Sequence, residues 1–196
     1  MSERDTSLSL IVGLGNPGTE YAQTRHNAGF WYVERLAERY NISLKKDSKY
    51  NAISGRGHIE GQDVRLLLPL TYMNRSGQSV VPFAKFYQIS TPNILIAHDE
   101  LDMNPGVIRL KNGGGHGGHN GLKDIVPHIG AHFLRLRIGI GHPGSKERVS
   151  GHVLSKAPQN EQQIIDQAIE HALDQSKALI LGDIAQAMNS INAFKA

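Results

Sequence analysis

Three short apolar runs constrain this chain more than any other feature. Residues 8–14 read LSLIVGL, residues 64–69 read VRLLLP and residues 93–97 read NILIA. Each is too short for a helix and the right length for a strand covered on both faces. Each also stops abruptly, at a glycine turn, a proline or the polar cluster His98-Asp99-Glu100. Between them the period changes. Residues 25–40 carry Phe30, Val33, Leu36, Ala37 and Tyr40 on one helical face, with Thr24 as N-cap, and a second helix is predicted over 76–87. Residues 50–69 read as two strands joined through a turn at 60–63, residues 107–110 as a short strand and residues 120–129 as a helix. In FLRLRIGIG apolar and charged residues alternate, which points Leu134, Leu136 and Ile138 inward and Arg135 and Arg137 outward. A long amphipathic helix is predicted from Pro158 to about residue 181, and Asp183 caps a last one. Interleaved strands and helices without linker or repeat predict an α/β fold. The expected architecture is a single domain over 1–196, with a central twisted mixed, mostly parallel sheet and helices on both faces.

Composition narrows the chemistry. The chain of 196 residues has no cysteine, which removes disulfides, thiolate zinc sites and a cysteine nucleophile. The opening MSERDTSLSL has no apolar core of signal-peptide length and no stretch is long enough to span a bilayer, so a cytoplasmic protein is expected. Charge is unevenly spread. Residues 1–102 hold eleven Lys/Arg and eleven Asp/Glu, whereas residues 103–156 hold eight against two. That basic block suggests a polyanionic partner, with a solvated basic face as the plainer alternative.

The motifs are individually ambiguous. Gly13-Leu14-Gly15-Asn16-Pro17-Gly18 fits the GxGxxG outline of a dinucleotide site. However, Pro17 removes a backbone donor from the turn, and the acidic residue expected some twenty positions on would fall near Glu38, inside a helix. Lys45-Lys46 keeps an NADP reading open. The loop also presents Asn16 just past a strand's carboxyl end, and Asp99 occupies the same kind of position after residues 94–97, where ligands bind in open α/β sheets. His26 falls in the first turn of its helix, where the dipole favours a neutral imidazole able to accept a proton; Asp99 is the candidate carboxylate to orient it. Residues 113–121 contain six glycines, marking a mobile loop or a close backbone approach to a ligand, and Asn120 follows as a helix cap or a polar contact. His116 and His119 invite a metal reading, but neither an HExxH pattern nor a carboxylate at ligand spacing accompanies them. Tyr72, Met73 and Asn74 suit a surface that holds a base or sugar, or else a core position and a cap. No GxSxG is present, so a hydrolase here would use water activated by a histidine.

Taken together, IVGLGNPGTEYAQTRHNAGF, TYMNRSG, ILIAHDELD, GGGHGGHNGLKDI and LRIGIGHPG resemble, in that order and over about residues 8–194, bacterial peptidyl-tRNA hydrolases. The resemblance implies a metal-free and cofactor-free cytosolic monomer that hydrolyses the ester between a peptide and tRNA, with no obligatory protein partner. It implies His26 as the base that activates water, Asp99 as its orienting carboxylate, and Asn16 as the contact that separates N-blocked peptidyl-tRNA from free aminoacyl-tRNA. Tyr21, Tyr72, Met73, Asn74 and Asn120 fall at positions that meet the peptide and the 3′ adenosine end, and His119 at one that contacts the peptide backbone. Arg109, Lys111, Arg137 and Lys146 match positions that grip acceptor-stem phosphates. An NADP-dependent oxidoreductase, a non-catalytic RNA-binding module and a metallohydrolase are the competing classes.

Overall fold

The computed structural model describes residues 5–196. The first four residues, which open the stretch read as carrying no leader, lie outside the described residues. The chain forms β1 (Leu10–Gly13), α1 (Ala28–Arg39), β2 (Lys45–Asp47), β3 (Ala52–Ile59), β4 (Gln62–Pro69), α2 (Gly77–Phe86) and β5 (Ile94–Glu100). It continues through β6 (Ile108–Asn112), α3 (Asn120–Ile129), β7 (Leu134–Gly139), α4 (Val149–Val153), α5 (Gln159–Asp174), α6 (Ser176–Ile180) and α7 (Ile184–Asn192). One seven-stranded sheet runs in the order β2-β3-β4-β1-β5-β7-β6. Its centre, β4-β1-β5-β7, is parallel, and β3, β2 and β6 add antiparallel edges.

The apolar runs are continuous because both faces of the central strands are covered. Ile11, Leu95 and Ala97 join the residues of α1, α5, α6 and α7 in one core cluster. Their neighbours Leu10, Val12, Ile94 and Ile96 pack with Val80 and Phe83 of α2 and Leu122 and Ile125 of α3 in the other. The same alternation sends Asp99 and His98, consecutive on β5, to opposite faces of the sheet. Among the described residues no helix is long and apolar enough to cross a membrane.

The glycine outline after β1 has a packing explanation. A Cβ on Gly29 would collide with the Ala97 carbonyl oxygen and sit 2.7 Å from the Leu14 nitrogen, and one on Gly15 would lie 2.8 Å from the Phe30 ring. These glycines let the start of α1 lie directly on β1 and β5.

Several elements differ from the sequence expectation. Residues 25–27 form a 3-10 turn that precedes α1, and the Thr24 hydroxyl donates to the Tyr21 carbonyl instead of capping the helix. The helix expected to run to about residue 181 breaks at Gln175 into α5 and α6. Asp183 does cap α7, accepting from the Gln186 nitrogen at 3.4 Å. The cap of α3 is His119, not Asn120. Lys45 and Lys46 lie on an edge strand that carries no apolar pattern. They stand three strand positions from β1, roughly 14 Å away at ordinary sheet spacing, which removes the footing of the NADP reading. Arg135 does not point to solvent, whereas Arg137 on the same face stays partly exposed. Because β7 is interior, the face opposite its leucines is roofed by the glycine-rich loop; Arg135 is 2% exposed and donates to the Gly114 and Gly115 carbonyls.

Adding a methyl group at Gly29 would force backbone against backbone, where no side chain can give way. Gly29→Ala is expected to lower stability by about 2 kcal/mol or more, read as a lower urea midpoint with an unchanged slope; an unchanged midpoint would show that α1 is free to shift.

Candidate active site

The carboxyl ends of β1, β4 and β5 open on one rim of the sheet, where the connecting loops and α4 enclose a cleft of about 740 Å³. Its floor is built around three side chains that approach closely. From β5, Asp99 projects toward the start of α1 and is 3% exposed. His26 meets it from the 3-10 turn before α1, with Nδ1 at 3.0 and 2.9 Å from the two carboxylate oxygens. From the start of α3, His119 Nε2 lies 2.8 Å from the Asp99 Oδ1.

Hydrogen-bond bookkeeping assigns the tautomers. His119 Nδ1 accepts from the backbone nitrogens of Gly121 and Leu122, at 3.1 and 3.4 Å, so its hydrogen resides on Nε2 and is donated to Asp99. His26 donates Nδ1–H to the same carboxylate. Its Nε2 has no protein partner among the described residues, which leaves a lone pair at the cleft. Burial disfavours the His26 imidazolium, but the charge of Asp99 and the hydrogen bond to it outweigh that, and His26 titrates above its ordinary value of 6.5. Burial would likewise raise Asp99; the two histidines, by charge and by hydrogen bonding, hold it far below the usual carboxylate range instead. On the other face of β5, His98 Nδ1 donates to the Asp99 carbonyl at 2.8 Å. Burial and the neighbouring His119 push His98 down to about 3, so it stays neutral.

Asn16 is fixed from both ends. Its Oδ1 accepts from the Met73 nitrogen at 2.8 Å, which commits the carboxamide orientation and turns Nδ2 to the cleft. Its backbone is clamped by the Asn27 side chain: the Asn16 nitrogen donates to Asn27 Oδ1 at 2.9 Å, and Asn27 Nδ2 donates to the Asn16 carbonyl at 3.0 Å. Met73 is buried in the cleft floor, while Asn74 and Asn120 present exposed carboxamides from the turn after β4 and the first turn of α3. Tyr72 is exposed at the rim, with its ring perpendicular to Tyr21 at a centroid separation of 6.4 Å.

The basic positions divide. Lys146 lines the cleft, joined by Lys123, which the sequence placed only in the basic block. Lys111 and Arg137 line an adjoining hollow of about 200 Å³ beneath the glycine-rich loop, and Arg137 is paired with Glu100 at 2.7 Å. Arg109 enters neither cavity; its guanidinium donates to the Ile108 and Phe194 carbonyls.

Sequence reasoning missed three contributors. Asn27 stands in the RHN segment beside His26, and its signal was a polar side chain at the entry to an apolar helix face. Arg25 is buried and donates to the His152 carbonyl and the Ser155 hydroxyl, at 3.1 and 2.6 Å, tying the His26 turn to the end of α4. The apolar wall formed by Val149, Val153 and Leu154 comes from α4, a helix too short to show a period, and the residue that ends it.

Among the described residues His116 is not part of a ligand cluster; it accepts from the Gly118 nitrogen within its own loop. His26, Asp99 and His119 do bring ligand atoms within 4.8 Å of one another. Yet coordination through His119 Nε2 would move that ring's hydrogen to Nδ1, against two backbone N–H groups. The trio fits mutual hydrogen bonding better than a cation.

Comparison with known proteins follows the same lines. Residues 10–196 match the sequence model of the family described as peptidyl-tRNA hydrolase. The chain is 76% identical over 190 residues to the peptidyl-tRNA hydrolase of Acinetobacter baylyi, covering 97% of this chain and 98% of that protein. It is 61% identical over 189 residues to that of Psychrobacter cryohalolentis, with 96% and 98% covered. The crystal structure of peptidyl-tRNA hydrolase from Acinetobacter baumannii superposes with a TM-score of 0.96 at 74% identity, covering 100% of this chain and 99% of that one.

If Asp99 sets the state of His26, a proton NMR titration should place the His26 imidazole above 6.5 in the wild type. In Asp99→Asn burial alone remains, so the titration should fall below 6.5; an unmoved titration would mean that the carboxylate does not govern the ring.

Proposed function

The chain belongs to the peptidyl-tRNA hydrolase family and is an enzyme that hydrolyses peptidyl-tRNA, and we propose that it does so with a water molecule activated by His26. The observation that carries this reading is the free His26 Nε2 at the cleft while Nδ1 is held by the buried Asp99. Water hydrogen-bonded to Nε2 attacks the ester carbonyl, and its proton passes to the imidazole. The Asp99 charge stabilises the imidazolium that forms. As the tetrahedral intermediate collapses, the carbon–oxygen bond to the ribose breaks and His26 returns the proton to the leaving oxygen. The peptide departs as a carboxylic acid and the tRNA with its hydroxyl restored. A positioned base contributes roughly 10²–10⁴-fold. The carboxamides of Asn74 and Asn120 face the same space and are the candidate donors to the oxyanion.

Asn16 supplies selectivity in this reading. Its fixed Nδ2 is a donor, and an N-blocked substrate offers the carbonyl of its next peptide unit as acceptor. A free aminoacyl ester offers an ammonium group there and leaves the donor unpaired. Tyr21 and Tyr72 supply aromatic surface for the 3′ adenosine, and Met73 a polarizable floor. Lys146, with Lys111 and Arg137 from the adjoining hollow, meets acceptor-stem phosphates, which confers affinity without reading sequence. Arg109, held by two carbonyls, has only its remaining nitrogens for this. His119 has both ring nitrogens engaged, so a contact with the peptide backbone uses its carbon edge or follows its release from Asp99. The enzyme works in this proposal as one domain and one copy in the cytoplasm, without metal, cofactor or a protein partner.

The test compares N-acetylaminoacyl-tRNA with the same tRNA carrying an unblocked amino acid, in EDTA. Wild type should cleave only the blocked ester. His26→Ala should lower kcat by about 10³-fold or more while tRNA binding stays within a few-fold. Turnover by that variant at the wild-type rate would remove His26 as the base. For the wild type, kcat/KM should fall as the pH drops through the raised His26 titration, because protonation consumes the lone pair.

Phosphate binding has a separate signature. Among the described residues Lys146 holds no ion pair, so Lys146→Ala should weaken tRNA binding and reduce the slope of log K against log salt by about one. An unchanged slope would place the acceptor stem elsewhere.

A further inference from the structure

We propose that His119 is a positioning residue for the base: by donating to Asp99 it takes up part of that carboxylate's hydrogen-bonding capacity and so limits how strongly Asp99 holds a proton on His26. The inference deepens the proposed mechanism and rests on His26 acting as the base.

The geometry separates two roles of the His119 ring. Nδ1 faces inward along α3 and accepts from the Gly121 and Leu122 nitrogens, as the helix cap. Nε2 faces the other way and lies 2.8 Å from Asp99 Oδ1. That oxygen also stands 3.0 Å from His26 Nδ1, which reaches Oδ2 as well at 2.9 Å, so one carboxylate serves two imidazoles whose ring centroids are 5.3 Å apart, and Oδ1 is within reach of both. The cap fixes the direction in which Nε2–H points, and α3 itself therefore presents the second donor.

The physical consequence has a definite sign. A carboxylate that accepts a second hydrogen bond is a weaker partner for the first. Removing the His119 donor returns that share to His26, favours the imidazolium and raises the pH at which the base becomes available. The other charged or titratable groups on this side are Tyr21, Tyr72, Glu100 from β5, Lys123 from α3 and Lys146 from the turn before α4, all lining the cleft without a hydrogen bond to His26, while α4 contributes Val149 and Val153 there. His98, on the opposite face of β5, packs its ring edge-on against His119 at a centroid separation of 4.9 Å but bonds the Asp99 carbonyl, not its carboxylate. His119 is thus the group placed to share the charge.

The two ring nitrogens can be replaced one at a time. In His119→Asn the shorter carboxamide is a good helix cap but falls short of Asp99. In His119→Gln the longer carboxamide reaches about as far as Nε2, supplying an N–H donor while forgoing the cap. The experiment records the NMR titration of His26 in wild type, both variants and His119→Ala, with the pH profile of kcat/KM on N-acetylaminoacyl-tRNA and thermal unfolding to confirm folding. In His119→Asn the titration and the acidic limb should both move up, so that the ratio of kcat/KM at pH 6 to that at pH 8 falls by about threefold, with His119→Gln near wild type. A His119→Asn titration that stays in place or moves down overturns the proposal. So does a shift seen in His119→Gln but not in His119→Asn, which would assign the effect to the cap. Wild-type turnover by His26→Ala would instead strike the base assignment, while the titrations would still report whether the carboxylate is shared.

Discussion

The carboxylate of Asp99 is the interaction around which the rest of the site is arranged. An ion removed from water costs several kcal/mol unless donors replace the lost solvent. Here the donors are two imidazoles from opposite sides, His26 at the entry to α1 and His119 at the entry to α3. Each is itself held: His26 by its place in the turn that Arg25 ties to the end of α4, His119 by the first amides of α3. The charge therefore couples three segments far apart in sequence. Loss of either partner would leave the ion under-compensated, so in the proposed mechanism the same contacts serve stability and reactivity together.

That arrangement depends on how closely α1 lies against the sheet. A helix resting on ordinary side chains would hold His26 farther from β5. Gly13 and Gly29 remove the intervening Cβ atoms, so backbone meets backbone, Gly15 makes room for the Phe30 ring, and the turn before α1 reaches the end of β5. The outline that suggests a phosphate loop is thus a packing device on one side and a mount for Asn16 on the other. Asn27 reinforces it, pairing with the Asn16 backbone much as a neighbouring strand would.

How much of this the sequence disclosed follows from the range of the forces involved. The buried strands at 8–14, 64–69 and 93–97 were legible because burial on two faces leaves continuous apolar runs, and α1 because its buried stripe has a helical period. The edge strand at Lys45–Asp47 was not, since an edge needs no apolar pattern. Arg135 was misplaced because alternation marks two faces without saying what covers each; a glycine-rich loop folded over the polar one. At the site, His26, Asp99 and Asn16 were identifiable as residue types at strand and helix ends, but their mutual distances depend on tertiary packing. The bond between His119 and Asp99 was the least accessible of all. It depends on the path of residues 113–118, whose glycines impose no pattern.

The distribution of charge at the site then has a physical logic. A lysine or arginine in contact with His26 would oppose the imidazolium and work against Asp99. A site that binds a polyanion nonetheless needs cations nearby. The fold reconciles these demands by sending them to different faces and depths. Asp99 faces α1, whereas Arg135 and Arg137 face the glycine-rich loop, where carbonyls and Glu100 occupy them. Lys123 and Lys146 line the cleft without a hydrogen bond to His26. Phosphates can be attracted over the distance set by salt screening, about 8 Å at physiological ionic strength, whereas proton transfer is decided within a single hydrogen bond. Long-range attraction and short-range basicity can therefore be supplied by separate residues, and the strand alternation of β5 and β7 keeps them apart.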